Sequence, residues 1–150
     1  MKKPTEFLMN LQRIIKLHDS LLKEICDDYH LSLIEAKILS FLHNNPEKDT
    51  AGDIVELRML AKSNVSNAVE LLIQKSMLKR VPDQKDRRKI HLKLLPAAQP
   101  IQEAIDRLQV EYLNELFEGF SEDEIQIFTV LNQKIMQNTK NGIQRRKAHE

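Results

Sequence analysis

The chain has 150 residues, 41% apolar and 30% charged, with a net charge of +1 and glycine only at positions 52, 119 and 142. That length suits one domain, the apolar share is enough for a core, and scarce glycine favours long helices over a turn-rich all-β fold. No apolar run approaches a membrane span, no apolar stretch follows the N-terminal lysines as in a secretory leader, and one cysteine excludes an intramolecular disulfide framework, so a cytoplasmic protein without membrane contact is expected.

Residues 5–30 place Phe7, Leu8, Leu11, Ile14, Ile15, His18, Leu21, Leu22, Ile25, Cys26 and Tyr29 at spacings of three and four, which predicts a long amphipathic helix with one apolar stripe. Ser32 and Glu35 form a capping-box pattern that opens a second helix, and Asn44-Asn45-Pro46 ends it. Thr50 and Asp53 repeat the pattern and start a short helix from Ala51 to about Met59. After a break near Leu60-Ala61, a helix runs from Lys62 to Lys75. At roughly 100° per residue its Val65, Ala68, Val69 and Leu72 share one side, while Ser63, Asn67, Glu70 and Gln74 share the other, with Asn64 and Ser66 flanking. Leu71 and Ile73 fall between the faces.

From Leu78 the period changes to two. Leu78 to Val81 reads as a short strand, Pro82 to Asp86 as a turn, and Ile90, Leu92 and Leu94 alternate with Lys89, His91 and Lys93 as a half-buried strand. Pro96 and Pro100 bracket the exit. Ile101, Ala104, Ile105, Leu108, Tyr112, Leu116 and Phe120 define another amphipathic helix with Gly119 near its end. Ser121 and Glu124 give a third capping box, and Ile125, Phe128, Leu131, Ile135 and Met136 line a last helix that is expected to fade before the basic tail Arg145-Arg-Lys147. Helix, helix, hairpin is the order of a winged helix-turn-helix.

The near-neutral net charge conceals an asymmetry. Residues 62–93 carry nine cationic and three anionic side chains, net +6, whereas residues 101–125 carry one cationic and eight anionic, net −7. A polyanion is attracted to the first stretch and repelled by the second. Ser63, Asn64, Ser66 and Asn67 lie in the first turns of their helix, where a recognition helix reaches base edges, and Asn is suited to bidentate contact with adenine. Lys62 adds charge at a helix start whose amides also favour phosphate. Lys85, Arg87, Arg88 and Lys89 make a cationic hairpin tip, able to enter a narrow minor groove.

These residues carry a family pattern. Asp86-Arg-Arg88-Lys-Ile-His-Leu92 resembles the wing motif Asp-x-Arg-x-x-x-Leu/Ile of MarR-type transcription regulators, the helix from Lys62 to Leu72 resembles their recognition helix, and Leu94-Leu-Pro-Ala-Ala98 is similar to their Leu-Thr-Pro-x-Gly segment. The chain departs from the pattern at Leu95 and Ala98, where Thr and Gly are common, and at Ser76-Met77, where Gly often closes the recognition helix. The resemblance implies a mainly α fold with a small β-hairpin wing. It divides a single 1–150 domain into an N-terminal dimerisation helix (1–30), a DNA-binding winged helix-turn-helix (31–95) and C-terminal dimerisation helices (96–150). It implies a homodimer that binds double-stranded DNA, most often as a repressor, with Arg88 as the minor-groove arginine, Arg87 able to share that role, and Asp86 holding Arg88 in position. A small-molecule effector pocket between dimer helices and reader, with His18, Tyr29 and Tyr112, rests on the same analogy.

Little else points to chemistry. Cys26 sits on the apolar stripe beside Asp27 and Asp28, which disfavours a reactive thiolate and hence a redox role. The five histidines show no paired metal spacing, and no phosphate loop, nucleophile elbow or metalloprotease motif is present, so no enzyme, metal or cofactor is expected. The alternative is a winged-helix protein-interaction module that has lost DNA binding. Glu70 argues for it, because a carboxylate near phosphates is unfavourable.

Overall fold

In the computed structural model, three of the helix starts are set by the same local device. The hydroxyls of Ser32, Thr50 and Ser121 accept from the amides of Glu35, Asp53 and Glu124, and those carboxylates accept in return from the capping residues' own amides. The structure describes residues 3–149. Met1 and Lys2, the beginning of the expected 1–30 segment and of the leader region, lie outside it, as does Glu150.

The elements follow in the order α1 (Thr5–Tyr29), α2 (Leu33–Asn44), α3 (Ala51–Arg58), α4 (Lys62–Gln74), β1 (Leu78–Pro82), β2 (Ile90–Leu94), a single 3-10 turn (Pro96–Ala98), α5 (Gln99–Leu116) and α6 (Glu122–Lys147). They form two compact units, one ending at Tyr112 and the other beginning at Leu113. The mainly α fold with a two-stranded hairpin is the one expected from the sequence.

In the first unit α2 packs on α1, α4 and β2, while α3 and β1 pack on α4. Leu22, Ile38, Leu39, Ile54, Val65, Leu72, Leu78, Ile101 and Ile105 are fully buried at its centre. The strands pair antiparallel with Leu78 opposite Leu94, Arg80 opposite Leu92 and Pro82 opposite Ile90. Pro82, which has no N–H to give a ladder, stands at the strand end next to the turn. Only the C-terminal half of the α1 stripe enters the core, through Leu21, Leu22, Ile25 and Cys26; Leu8, Leu11 and Ile15 are exposed. On α4 the division into faces is as read: Val65, Ala68, Val69 and Leu72 are buried, and the polar set is exposed. Leu71 is exposed and Ile73 packs against the core edge.

Two prolines that bracket the hairpin exit fall inside first turns instead of between elements. Pro96 opens the 3-10 turn, and Pro100 is the second residue of α5, where a missing N–H costs nothing. The position where Gly often closes the recognition helix is taken by Ser76 in the left-handed region, φ 60°. The Met77 amide reaches back to the Leu72 carbonyl and the Ser76 amide to Ile73, the paired bonds of a Schellman closure.

In the second unit Phe117 meets Phe120 and Phe128 edge-on, with both ring pairs 5.4 Å apart. Gly119, at φ 81°, makes the turn before α6. The basic tail is not beyond the last helix, as expected, but within it. Arg145, Arg146 and Lys147 form the final turn of α6, and Glu122, Asp123 and Glu124 its first. Both ends thereby oppose the helix dipole, which explains why the helix does not fade early. No residue of α6 is buried, and Ile127, Phe128, Val130, Leu131, Ile135, Met136 and Ile143 are exposed.

Candidate nucleic-acid interface

Ser63, Asn64, Ser66 and Asn67 stand exposed on the first two turns of α4, with Lys62 at its first position. Their backs are held by Val65, Ala68 and Val69 in the core, so the polar face is fixed by packing and not by its own contacts. Unlike α2, α3 and α6, this helix has no side-chain cap: Ala61 occupies the capping position. Its first amides are left for an outside acceptor, which suits a phosphate.

The wing tip is ordered by carboxylates that grip backbone. Asp83 Oδ2 accepts from the amides of Lys85 (3.0 Å) and Asp86 (2.9 Å). Asp86 Oδ1 accepts from the Arg88 amide at 3.0 Å, and the Lys89 amide donates to the Asp86 carbonyl. Asp86 therefore meets Arg88 through the main chain. No ion pair joins its carboxylate to the Arg88 guanidinium, which stays open to a partner. An open cleft lined by Thr50, Ala51, Gly52, Asp86, Arg88, Lys89 and Ile90 separates the start of α3 from the wing.

The nine cations of residues 62–93 divide into two sets. Lys75, Arg80 and Lys93 are spent on Glu35 (2.8 Å), Glu70 (2.8 Å) and Asp49 (2.7 Å). Lys62, Lys79, Lys85, Arg87, Arg88 and Lys89 are exposed and engaged in no ion pair among the described residues. Glu70, the carboxylate on the exposed face of α4, is neutralised by Arg80 of β1, which removes the argument it offered against a DNA-facing helix.

One network escapes a reading of the sequence. His91 Nδ1 lies 2.6 Å from Asp49 Oδ1 and its Nε2 lies 2.7 Å from Asp83 Oδ1. Asp49, in the loop before α3, is 6% exposed; its other oxygen accepts from Lys93, and its carbonyl accepts from the Leu92 amide at 2.7 Å. The hydrogen bond from His91 and those from the turn amides hold Asp83 down at about 2. Burial pushes Asp49 up, but the bonds from His91 and Lys93 outweigh it and leave its carboxyl below the ordinary value. The two carboxylates raise His91. No local pattern marks Asp49 and His91 as partners, because 42 residues separate them.

Of the suggested effector-pocket residues, the structure brings two together. His18 and Tyr112 meet edge-on with ring centroids 4.9 Å apart, and the Tyr112 hydroxyl donates to the Ile14 carbonyl. Burial, with Arg58 next, lowers His18 from its ordinary value. Tyr29 lies eleven residues further along α1, about 16 Å along the axis, and does not join them. Cys26 is buried, and burial followed by Asp27 pushes its thiol up, the opposite of an activated nucleophile. No helix is long and apolar enough to cross a membrane among the described residues.

A family model described as the MarR family matches residues 30–89, which run from the end of α1 to the wing. The chain is 29% identical over 131 residues to the uncharacterized HTH-type transcriptional regulator YsmB of Bacillus subtilis, covering 84% of this chain and 88% of that protein. Its fold is similar to a MarR-family protein from Listeria monocytogenes complexed with a 26mer DNA, at TM-score 0.79, 17% identity, and coverage of 90% and 89% of the two chains. It is also similar to Bordetella bronchiseptica BpsR, whose DNA binding is regulated by 6-hydroxynicotinic acid, at TM-score 0.63, 20% identity, and coverage of 85% and 91%. Residues 30–89 thus match the MarR family model, and the fold is that of MarR-family winged helix-turn-helix proteins.

Proposed function

We propose that the protein is a homodimeric, sequence-specific binder of double-stranded DNA that acts as a repressor on a pseudo-palindromic operator. In this reading Ser63, Asn64, Ser66 and Asn67 read base edges in the major groove, and Lys62 binds phosphate. Arg88, with Arg87 beside it, enters the minor groove from a tip ordered by Asp86, and Lys85 and Lys89 hold the flanking backbone. The observation that carries the reading is the separation of cations: Lys75, Arg80 and Lys93 are paired with carboxylates of the fold, and those on the wing tip and at the α4 start, with Lys79, are open.

The exposed apolar residues of α6 and of the N-terminal half of α1 support pairing with a second copy, because a monomer leaves them in water. A two-fold dimer then sets its recognition helices about one DNA turn apart, which is why the operator is expected to be pseudo-palindromic. The Bordetella relative makes release by a small molecule the regulation to test, with the His18–Tyr112 contact as the place to look for it.

The test is a salt titration of Arg88→Ala on a duplex recovered by binding-site selection. Wild type is expected to lose affinity with a log–log slope of about −0.9 per phosphate contact, and the variant to bind more weakly with a shallower slope. Equal affinity and slope in the two proteins would refute the wing assignment. Failure to select any duplex at low salt would favour the protein-interaction module instead.

A further inference from the structure

We propose that His91 is the positioning residue of the wing: held as an imidazolium between Asp49 and Asp83, it latches the wing turn to the body, and the wing's grip on DNA loosens as pH rises. The proposal rests on the DNA-binding reading above. It goes beyond it in naming what orders the wing and what disorders it.

The geometry requires the charged form. Both ring nitrogens sit at 2.6–2.7 Å from carboxylate oxygens, so both must carry protons. A neutral ring keeps one proton and turns a bare lone pair toward the other carboxylate. Neither acid can supply the missing proton near neutral pH. Asp49 also accepts from Lys93, and Asp83 also accepts from the amides of Lys85 and Asp86. Deprotonation must therefore break one side of the bridge. On the Asp83 side lies the turn that presents Lys85, Arg87, Arg88 and Lys89; on the Asp49 side lies the loop that enters α3.

Of the other charged groups on the elements packed against β2, Lys37 of α2 is paired with Asp19 and Arg80 of β1 with Glu70, while Glu56 and Arg58 of α3 and Lys79 of β1 make no ion pair with His91 or its two aspartates. Asp53 of α3 accepts from the Thr50 amide, Glu35 of α2 is paired with Lys75, and His43 of α2 lies against Gln102 and Asp106. On β1, Val81 stands opposite His91 in register, and Lys79 opposite Lys93. His91 is thus governed by Asp49 and Asp83, with Lys93 acting through Asp49.

The sign follows. A histidine raised by its partners contributes its bond fully below its unfolded value and loses it as pH climbs through the folded value. The aspartates act at the other end, where Asp83 contributes above its ordinary 3.8 and is lost as pH falls toward about 2. The latch is closed between these limits and opens on the alkaline side. Only the closed fraction is competent for DNA, so apparent affinity falls with that fraction.

Two readouts test this on the full chain. In the free protein, NMR titration of the His91 ring is expected to give a midpoint above 6.5, with the Arg88 amide losing order over the same range. A midpoint at or below that value, or an Arg88 amide indifferent to it, overturns the latch whether or not DNA binds. Fluorescence anisotropy with the selected duplex is expected to show wild-type affinity falling above that midpoint by at most about tenfold per pH unit for each wing. His91→Gln should bind more weakly and lose this fall. Asp83→Asn, whose amide can donate to a neutral ring, should move or abolish the pH step while its carbonyl keeps the turn. A pH profile that is the same in wild type and His91→Gln refutes the proposal. If wild type binds no duplex, the DNA reading fails, and the two NMR observations still decide the latch.

Discussion

Lys75→Met isolates a buried carboxylate, Glu35, at a junction of three helices. Lys75, at the C-terminal cap of α4, donates to Glu35 Oε2 at 2.8 Å and to the His30 carbonyl at the end of α1 at 3.0 Å. The Glu35 side chain is 3% exposed and the Lys75 side chain 35%. Burial pushes the Glu35 carboxyl up, but the bonds from Lys75 and from Ser32 outweigh it and leave the group below its ordinary 4.5. The variant strips away the cation and leaves the carboxylate with the Ser32 amide and hydroxyl. Removing one partner of a fully buried pair costs about 3–5 kcal/mol. Lys75 is partly solvated and Glu35 keeps its capping bonds, so the expected loss is about 2–3 kcal/mol at pH 7. That lowers Tm by roughly 5–10 °C for a chain of this size. Urea unfolding at fixed protomer concentration measures it, since a dimer's stability depends on concentration. In wild type, a depressed carboxyl contributes stability above 4.5 and loses it as pH falls through the folded value. In the variant only the Ser32 bonds oppose burial and the carboxyl protonates earlier than in wild type, so the gap between the two proteins narrows on acidification. Glu35→Gln, which removes the buried charge and keeps an acceptor for the cap, should cost less. A penalty below about 1 kcal/mol, or one that is the same at pH 7 and near pH 4.5, would show that the pair is a solvated contact and not a buried joint.

Ser76→Gly should raise stability by about 0.5–1 kcal/mol in the same urea assay, because the left-handed φ costs a side-chain-bearing residue about 1–2 kcal/mol and glycine's unfolded-state entropy returns part of it; a loss of stability would mean that the serine hydroxyl contributes to the closure. Glu70→Ala breaks an exposed pair and should move stability by less than about 0.5 kcal/mol, yet it frees Arg80 for phosphate, so DNA affinity at low salt should rise and the salt slope steepen by up to about 0.9 per protomer. Unchanged slope would place Arg80 away from the DNA backbone.

What was legible in the sequence was local. Three capping boxes were visible because their two halves lie three residues apart, and the faces of α4 were visible because helical geometry alone sorts Val65 from Asn67. Ser76 showed only as a missing glycine; that a serine would accept φ 60° depends on the Met77 and Ser76 amides both finding carbonyls. The α6 boundary was misplaced because a basic cluster reads as a tail until its position at a helix C-terminus is known. The wing motif couples Asp86 to Arg88 but cannot distinguish an amide from a guanidinium, and it is the Arg88 amide that Asp86 meets. The Lys75 partner of Glu35 and the hairpin partners of Asp49 were out of reach altogether, separated by 40 or more residues and brought together only by the packing of α2, α4 and the hairpin.

That distinction bears on how a chain of net charge +1 can grip a polyanion. Counting cations between residues 62 and 93 gives nine, and a dimer using all of them would approach a salt slope of about −16. Three are paired within the chain, with Glu35, Glu70 and Asp49, which leaves six per protomer and a ceiling near −11. In the DNA-binding reading proposed above, the consumed cations act as positioners. Lys75 fixes the end of α4 against α1 and α2, Arg80 ties α4 to the hairpin, and Lys93 shares Asp49 with the His91 latch. Arg80 also neutralises Glu70, the carboxylate on the exposed face of α4, while Glu35 and Asp49 are buried. In that reading the paired anionic residues of the reader do not weaken it. They convert part of a diffuse positive stretch into a frame, and the frame aims the remaining charge through the α4 start and the wing tip.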